Sequence, residues 1–464
     1  MPTILALSLT AMMPAQAGTA QEGAASAAVY DADRQHLWNR LHCMFYVRHV
    51  PLTGLEHRPS DAPLRVDRGV RRFGPDVLDP PLSAHPRYLL DDEPFERAVA
   101  VLDEFLRCRG GRMIDDPLRR VMLQRDLWAV FDLLHDDPNE SLPLRMPVVP
   151  PYPPRSAAQN ARAAELARKL AAVIRALAVP RELIERLPDN YQAATAGGSA
   201  STSRPEAEAL PADLFSRAGL WVEIALPASG RDVPVHTRYV RGRSVFRTFY
   251  SLDERDSSGS RVRARLRAAG RATKPTSEPA YPAGSARGPT ASAPAIGGDA
   301  PWPVGTRFVL LRQALALDER MDLVPTPITE SMLIRRLVPN PDRPDVPLQT
   351  VAEFHLDRAD LFAGRAGGLR AVDPAERRFD AYADLGWLRT DAAGRLDEGR
   401  PLPGVCLSCH GPFPLGLRLH RGIGLRNTAD PSPAEQTINW KSGRAEFLRL
   451  REAAAASRAP SRPE

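Results

Sequence analysis

Apolar residues recur every three or four positions over the first part of the chain, which is the period of a helix with one buried face. The first such stretch contains Leu37, Leu41 and Phe45, with Trp38 alongside. Three further stretches repeat the pattern: Phe95–Arg107, Pro117–Leu134 and Ala157–Val179. Within the second of these, the predicted buried stripe is Val121, Leu127, Val130, Phe131 and Leu134. The period predicts a helical domain over residues 30–190.

The pattern changes in the middle of the chain to short runs with β-branched and aromatic residues in partial alternation, which are typical of antiparallel strands. These runs are Leu220–Leu226, Val235–Tyr250, Arg307–Leu317, Ser331–Val338 and Gln349–His355. They predict a small β-rich domain over residues 213–360. The predicted fold class is therefore α+β, with a loop-rich C-terminal region over residues 361–464.

Two segments rich in Ser, Gly, Ala, Pro and Arg interrupt these elements. Residues 195–212 are predicted to link the helical and β-rich parts, and residues 256–301 form a long low-complexity insertion within the β-rich part.

Composition narrows the classes of function. The chain has 464 residues, of which 43% are hydrophobic, so it can bury a sizeable core. Its net charge is +6, but acidic and basic residues are interspersed, which gives no basic stripe for nucleic acid. No apolar run is long enough to predict an integral membrane span. Four cysteines are too few for a disulfide scaffold.

Two of those cysteines form a motif with a histidine, Cys406-Leu407-Ser408-Cys409-His410. Cysteines three residues apart share one face of a helical turn, so both thiols can reach the two vinyl groups of one porphyrin edge. The histidine that follows can then ligate the iron. A CxxCH sequence is the attachment signature of c-type haem.

In this motif the chain resembles the haem site of c-type cytochromes, over roughly residues 401–411. The resemblance implies one covalent haem c, with thioether bonds at Cys406 and Cys409 and His410 as the proximal iron ligand. It also implies a periplasmic or otherwise exported location and an unknown redox partner protein. The rest of the chain resembles no family of known function.

The N-terminus gives a separate indication of export. Residues 3–13 are mostly apolar, and Ala15-Gln16-Ala17 fits a small-residue cleavage site. This pattern predicts a signal peptide over residues 1–17, although no Lys or Arg precedes the apolar stretch.

The sixth iron ligand is not fixed by the motif, because no methionine follows His410. His420 is the nearest candidate, and a surface histidine among arginines is an equal alternative for it. Met332 and His355, on predicted strands, are rival ligands. For both, core packing or a solvent-facing position is the favoured interpretation.

Other functions remain open at this stage. A haem enzyme of the peroxidase type would use an open sixth position, with Arg418 or Arg421 to polarise peroxide. A structural or interaction protein could instead bind zinc through Cys406, Cys409, His410 and His420. Neighbouring Cys and His residues suit tetrahedral zinc poorly, which favours haem.

Two weaker features lie in the helical part. Cys43 and Cys108 could pair in an oxidising compartment or could be small core residues. His42 and His49, seven residues apart, would share one helix face, where packed or solvated histidines are the more common case than a metal site.

Overall fold

A computed structural model describes the protein over residues 30–48, 71–72, 89–135, 155–196, 209–216, 219–225, 237, 240–251, 304–342, 347–372, 377–378, 400–401, 424–425 and 432–457. The expected signal peptide, the low-complexity insertion at 256–301 and the CxxCH motif lie outside these residues.

Nine α-helices are found in the described ranges. They are α1 (Leu37–Tyr46), α2 (Asp92–Arg107), α3 (Pro117–His135), α4 (Ala157–Ala176), α5 (Arg181–Glu185), α6 (Asn190–Ala196), α7 (Arg358–Phe362), α8 (Pro433–Ser442) and α9 (Ala445–Ala456). The first four match the helices that the apolar period predicts.

The strands are β1 (Val47–Arg48), β2 (Arg71–Arg72), β3 (Val222–Ala225), β4 (Ser244–Ser251), β5 (Arg307–Leu317), β6 (Leu323–Val338), β7 (Leu348–Leu356), β8 (Leu369–Ala371), β9 (Arg377–Arg378), β10 (Arg400–Pro401) and β11 (Gly424–Leu425). Seven of them form one sheet in the order β11-β3-β4-β5-β6-β7-β8, with every pair antiparallel. From β3 to β8, strands that follow each other in the chain lie side by side. The combination of helices and an antiparallel sheet confirms the α+β class.

Strand β6 begins eight residues earlier than the sequence indicates. Pro325 and Pro327 interrupt the alternation there, since proline cannot donate to a strand ladder. The register between β5 and β6 shifts near Gln313, and this irregularity lets the strand continue through the prolines.

One contiguous hydrophobic core joins the helices to the sheet. It includes Trp38 of α1, Phe105 of α2 and Leu170 of α4, together with Val309 of β5 and Ile334 of β6. Helix α2 is amphipathic and turns one apolar stripe toward this core. Helix α3 is different, because nearly all of its residues are buried, well beyond the predicted stripe.

The C-terminal end is more helical than expected, because α8 and α9 follow the region predicted as loop-rich. A capping box starts α8: Ser432 Oγ accepts from the Glu435 amide, and the Glu435 carboxylate accepts from the Ser432 amide. Leu450 of α9 is fully buried in the common core. Helix α9 thus packs against the body of the protein, and its residues, mostly Ala, Leu, Arg and Glu, also favour a helix.

Candidate functional site

The predicted haem ligands Cys406, Cys409, His410 and His420 lie outside the described residues. Their position in the chain is bounded by two strands that are described. Strand β10 ends at Pro401 and pairs with β9, and β11 begins at Gly424 and pairs with β3 at the edge of the large sheet. The chain that carries the motif thus returns to the main sheet four residues after His420.

A buried ionic cluster fixes the chain that follows the motif. Lys441 of α8 is fully buried and lies 2.8 Å from Asp132 Oδ2 of α3. Arg243 donates to the same oxygen at 2.7 Å, and Glu446 lies 3.3 Å from Lys441 Nζ. The Lys441 ammonium also lies 5.6 Å from the centre of the Trp128 ring. These contacts tie α8 and the turn before β4 to the central helix.

The charges of this cluster determine its protonation. Burial by itself would raise the pKa of Asp132, but the neighbouring Lys441 and Arg243 cations outweigh it and hold that pKa below the ordinary value. Asp132 is therefore deprotonated, and the buried Lys441 and Arg243 cations balance its negative charge.

A second buried cluster joins the start of the described chain to α1, α3 and α7. Arg358 forms a bidentate pair with Asp126, and the Tyr30 hydroxyl donates to Asp126 Oδ2 at 2.6 Å. His42 Nε2 lies 3.8 Å from the same oxygen. Burial raises the pKa of Asp126, although Arg358 and Tyr30 both favour its charged form.

His42 belongs to this cluster as a neutral side chain. It is 1% exposed, and burial together with the Arg358 charge lowers its pKa to about 3. Helix α1 ends at Tyr46, so the expected common helix face for His42 and His49 was wrong, and His49 lies outside the described residues.

A third buried pair links α3 to the sheet. Arg125 donates to both carboxylate oxygens of Glu330 on β6, and both side chains are fully enclosed. Ser244 Oγ donates to Glu330 Oε2 at 2.7 Å and accepts from Arg125 at 2.6 Å. Arg312 lies 3.1 Å from the same carboxylate. Helix α3 is thus the central polar connector of the fold as well as part of its apolar core.

The two rival iron ligands occupy opposite faces of the sheet. Met332 is fully buried in the core between the sheet and the helices, as the packing interpretation expected. His355 is half-buried on the other face, where its Nε2 lies 2.6 Å from Glu353 Oε1. The Met332 side chain therefore packs in the core, whereas His355 is paired with Glu353.

The remaining thiols and acids supply no metal site within the described residues, where no group of three or more His, Cys, Asp or Glu side chains is suitably placed. Cys108 is an exposed free thiol at the end of α2, so it is neither a core residue nor paired with Cys43. Cys43 is half-buried.

Within the part of the chain that the structure describes, no helix is long and apolar enough to cross a membrane.

Sequence reasoning missed the buried charges of α3. Their signal is nonetheless present, since Arg125, Asp126 and Asp132 interrupt a stretch that is apolar on all sides. Charged residues are almost never fully buried unless they are paired. A charge on such a helix therefore indicates a distant partner, but it does not identify that partner.

Comparison with known proteins adds no relative: no protein-family model, curated protein or solved structure matches the chain.

Proposed function

We propose that this protein is an exported monohaem c-type cytochrome-like protein that transfers electrons to or from a redox partner. The observation that carries the proposal is the sequence Cys406-Leu407-Ser408-Cys409-His410. Cys406 and Cys409 would form the thioether bonds, and His410 would ligate the iron. The bound haem would supply the one-electron redox chemistry.

The surrounding fold supports a role as a scaffold for such a group. The motif lies between two paired strands, and the helices that follow it are fixed to α3 through the buried Lys441–Asp132 pair. A segment anchored on both sides can position a prosthetic group with little loss of freedom on binding. Protein groups near the haem would then tune its reduction potential through axial ligation and burial.

The burial of Met332 in the core argues against this residue as the sixth iron ligand. Met332 would have to leave the hydrophobic core to reach an iron, which would leave a cavity there. His420, ten residues after His410, therefore remains the first candidate, and His355 is the rival on the face of the sheet that points away from the common core.

An absorption spectrum and a haem-stained denaturing gel test the proposal. The protein is produced with export and cytochrome-maturation machinery, and the Cys406→Ala/Cys409→Ala variant is the matched control. We expect reduced Soret and α bands and a stained band in the parent protein only. A colourless parent protein would contradict the proposal and make zinc analysis the next step.

The same sample separates a carrier from a haem enzyme. A carrier with two protein ligands gives a low-spin ferric spectrum and cycles reversibly between its oxidation states. A high-spin ferric spectrum that peroxide shifts, together with oxidation of an added donor, would instead favour the peroxidase-type alternative.

A further inference from the structure

The large sheet has a second buried apolar face, opposite to the one that packs against the helices. Register places its residues on one side of the sheet, because residues directly opposite each other in neighbouring strands share a face. In one row across the sheet, Val222 lies opposite Tyr250, and Tyr250 lies opposite Phe308. We call this surface the second face; its buried apolar members are Val222, Phe246, Tyr250, Phe308, Leu333 and Leu337.

These six residues are buried, yet none of them belongs to the core shared by the helices and the sheet. Tyr250 is 0% exposed and Leu337 is 1% exposed. The rings of Tyr250 and Phe308 lie 5.3 Å apart, centre to centre. Because these side chains are enclosed, other parts of the chain must cover them, and the covering segment removes large apolar side chains from water.

The apolar part of the second face lies on the β11 side of the sheet. Strands β3, β4 and β5 contribute Val222, Tyr250 and Phe308, and β11 is the direct neighbour of β3. The same face also carries Arg312 opposite Phe246 and Arg335 opposite Phe308. Toward β7 it becomes polar, with Glu353 and His355. A covering segment that enters from β11 would therefore meet the apolar region first.

Two undescribed segments longer than twenty residues lead directly into a strand of this sheet: residues 252–303, between β4 and β5, and residues 402–423, before β11. Residues 379–399 instead join β9 to β10 of a separate two-stranded sheet. Only six of the 52 residues in the first are large and apolar (Val, Ile, Leu, Phe, Tyr or Trp), against eight of the 22 in the second. In the second, Phe413, Leu415, Leu417 and Leu419 alternate with Pro, Gly and Arg, the pattern of a chain with one apolar side.

We propose that residues 402–423, the segment that carries the CxxCH motif, dock on the second face of the sheet. Composition, alternation and the attachment of the segment at β11 all point to this occupant. The docking depends on apolar contacts and does not require haem. The apolar residues Phe413, Leu415, Leu417 and Leu419 would supply the contacts. This extends the proposed function by naming the surface against which the segment that carries the motif rests.

Hydrogen exchange measured by mass spectrometry on the full chain tests this docking. The variant Leu310→Arg puts a charge on the second face, where Leu310 is half-buried between Thr248 and Leu333. Thr350→Arg is the matched control, because Thr350 is exposed on the opposite face of the same sheet. We expect Leu310→Arg to speed exchange in residues 402–423 at least tenfold, Thr350→Arg to leave it unchanged, and neither to alter exchange in α3.

Two outcomes would overturn the proposal. One is that residues 402–423 exchange in the parent protein as fast as an unstructured peptide. The other is that Leu310→Arg affects residues 252–303 instead, which would make the insertion the cover of the second face. If Leu310→Arg fails to fold, the reciprocal pair Leu417→Asp and Arg418→Asp replaces it, and only Leu417→Asp should raise exchange in β4 and β5.

The same measurement on the Cys406→Ala/Cys409→Ala variant separates this inference from the haem proposal. Protection of residues 402–423 that persists in this variant supports docking by apolar contacts, even if no haem is ever attached. Protection that disappears in it would contradict apolar docking and leave the haem proposal intact.

Discussion

The neutral, buried His42 should make this fold sensitive to mild acid. The folded state holds the imidazole uncharged with a pKa of about 3, whereas an unfolded chain protonates it near 6.5. Below pH 6.5 the unfolded state therefore binds a proton that the folded state does not. By linkage, the free energy of unfolding falls as the pH drops from 6.5 to about 3.

The loss of unfolding free energy on acidification follows from the difference between the folded and unfolded pKa values of His42. One pKa unit corresponds to about 1.4 kcal/mol, so acidification from pH 7 to about pH 5 should remove about 2 kcal/mol of stability through His42 alone. The variant His42→Gln keeps a polar side chain of similar size and does not titrate. Between pH 7 and pH 5 the variant should therefore lose about 2 kcal/mol less unfolding free energy than the parent protein.

Urea denaturation followed by circular dichroism at pH 7, 6 and 5 measures the difference. Comparison between the two proteins cancels the acids and histidines that lie away from His42. Parallel pH curves for parent and variant would refute the reasoning. If His42→Gln does not fold, the ring protons of His42 in the parent protein, followed by NMR, should show no titration between pH 7 and 5.

Three further predictions test other parts of the structure. Glu330→Ala leaves the buried Arg125 guanidinium without its carboxylate and should cost about 3–5 kcal/mol in urea denaturation; a loss below about 1 kcal/mol would contradict full burial of the pair. Gly367→Ala should destabilise far more than Gly364→Ala, since both have positive φ but only at Gly367 would a Cβ lie 1.9 Å from a backbone oxygen of α6; equal melting temperatures would contradict this. In the haem-loaded protein, His420→Ala should convert a low-spin ferric spectrum to high spin, and an unchanged spectrum would exclude His420 as the sixth ligand.

Local patterns were sufficient for most of the secondary structure. The bounds of β5 are those that its composition predicts, and α1 and α3 follow the four-residue spacing of their apolar positions. Secondary structure of this kind depends on neighbours within a few residues, so the sequence shows it directly. The C-terminal helix α9 was missed, although its Ala, Leu, Arg and Glu residues are strong helix formers and its buried Phe447, Leu450 and Ala454 recur at helical spacing.

Haem attachment at the motif is likewise predicted from residues that are close together in the sequence. Cys406, Cys409 and His410 are contiguous, and their spacing alone predicts attachment of haem. The rival ligands could not be ranked in this way. Met332 and His355 both lie on apparent strands, and only strand register shows that one points into the common core and the other away from it.

The sequence by itself determined the fold class and the main helices and strands, and it predicts haem attachment at the CxxCH motif. Only the tertiary structure decided which charges are buried together: Arg125 and Glu330 are 205 residues apart, and Asp132 and Lys441 are 309 residues apart. No periodicity encodes such pairs, because each partner is chosen by how helices and sheet pack. The physical reason is the cost of an uncompensated buried charge, which makes the pairing obligatory once packing has enclosed both groups.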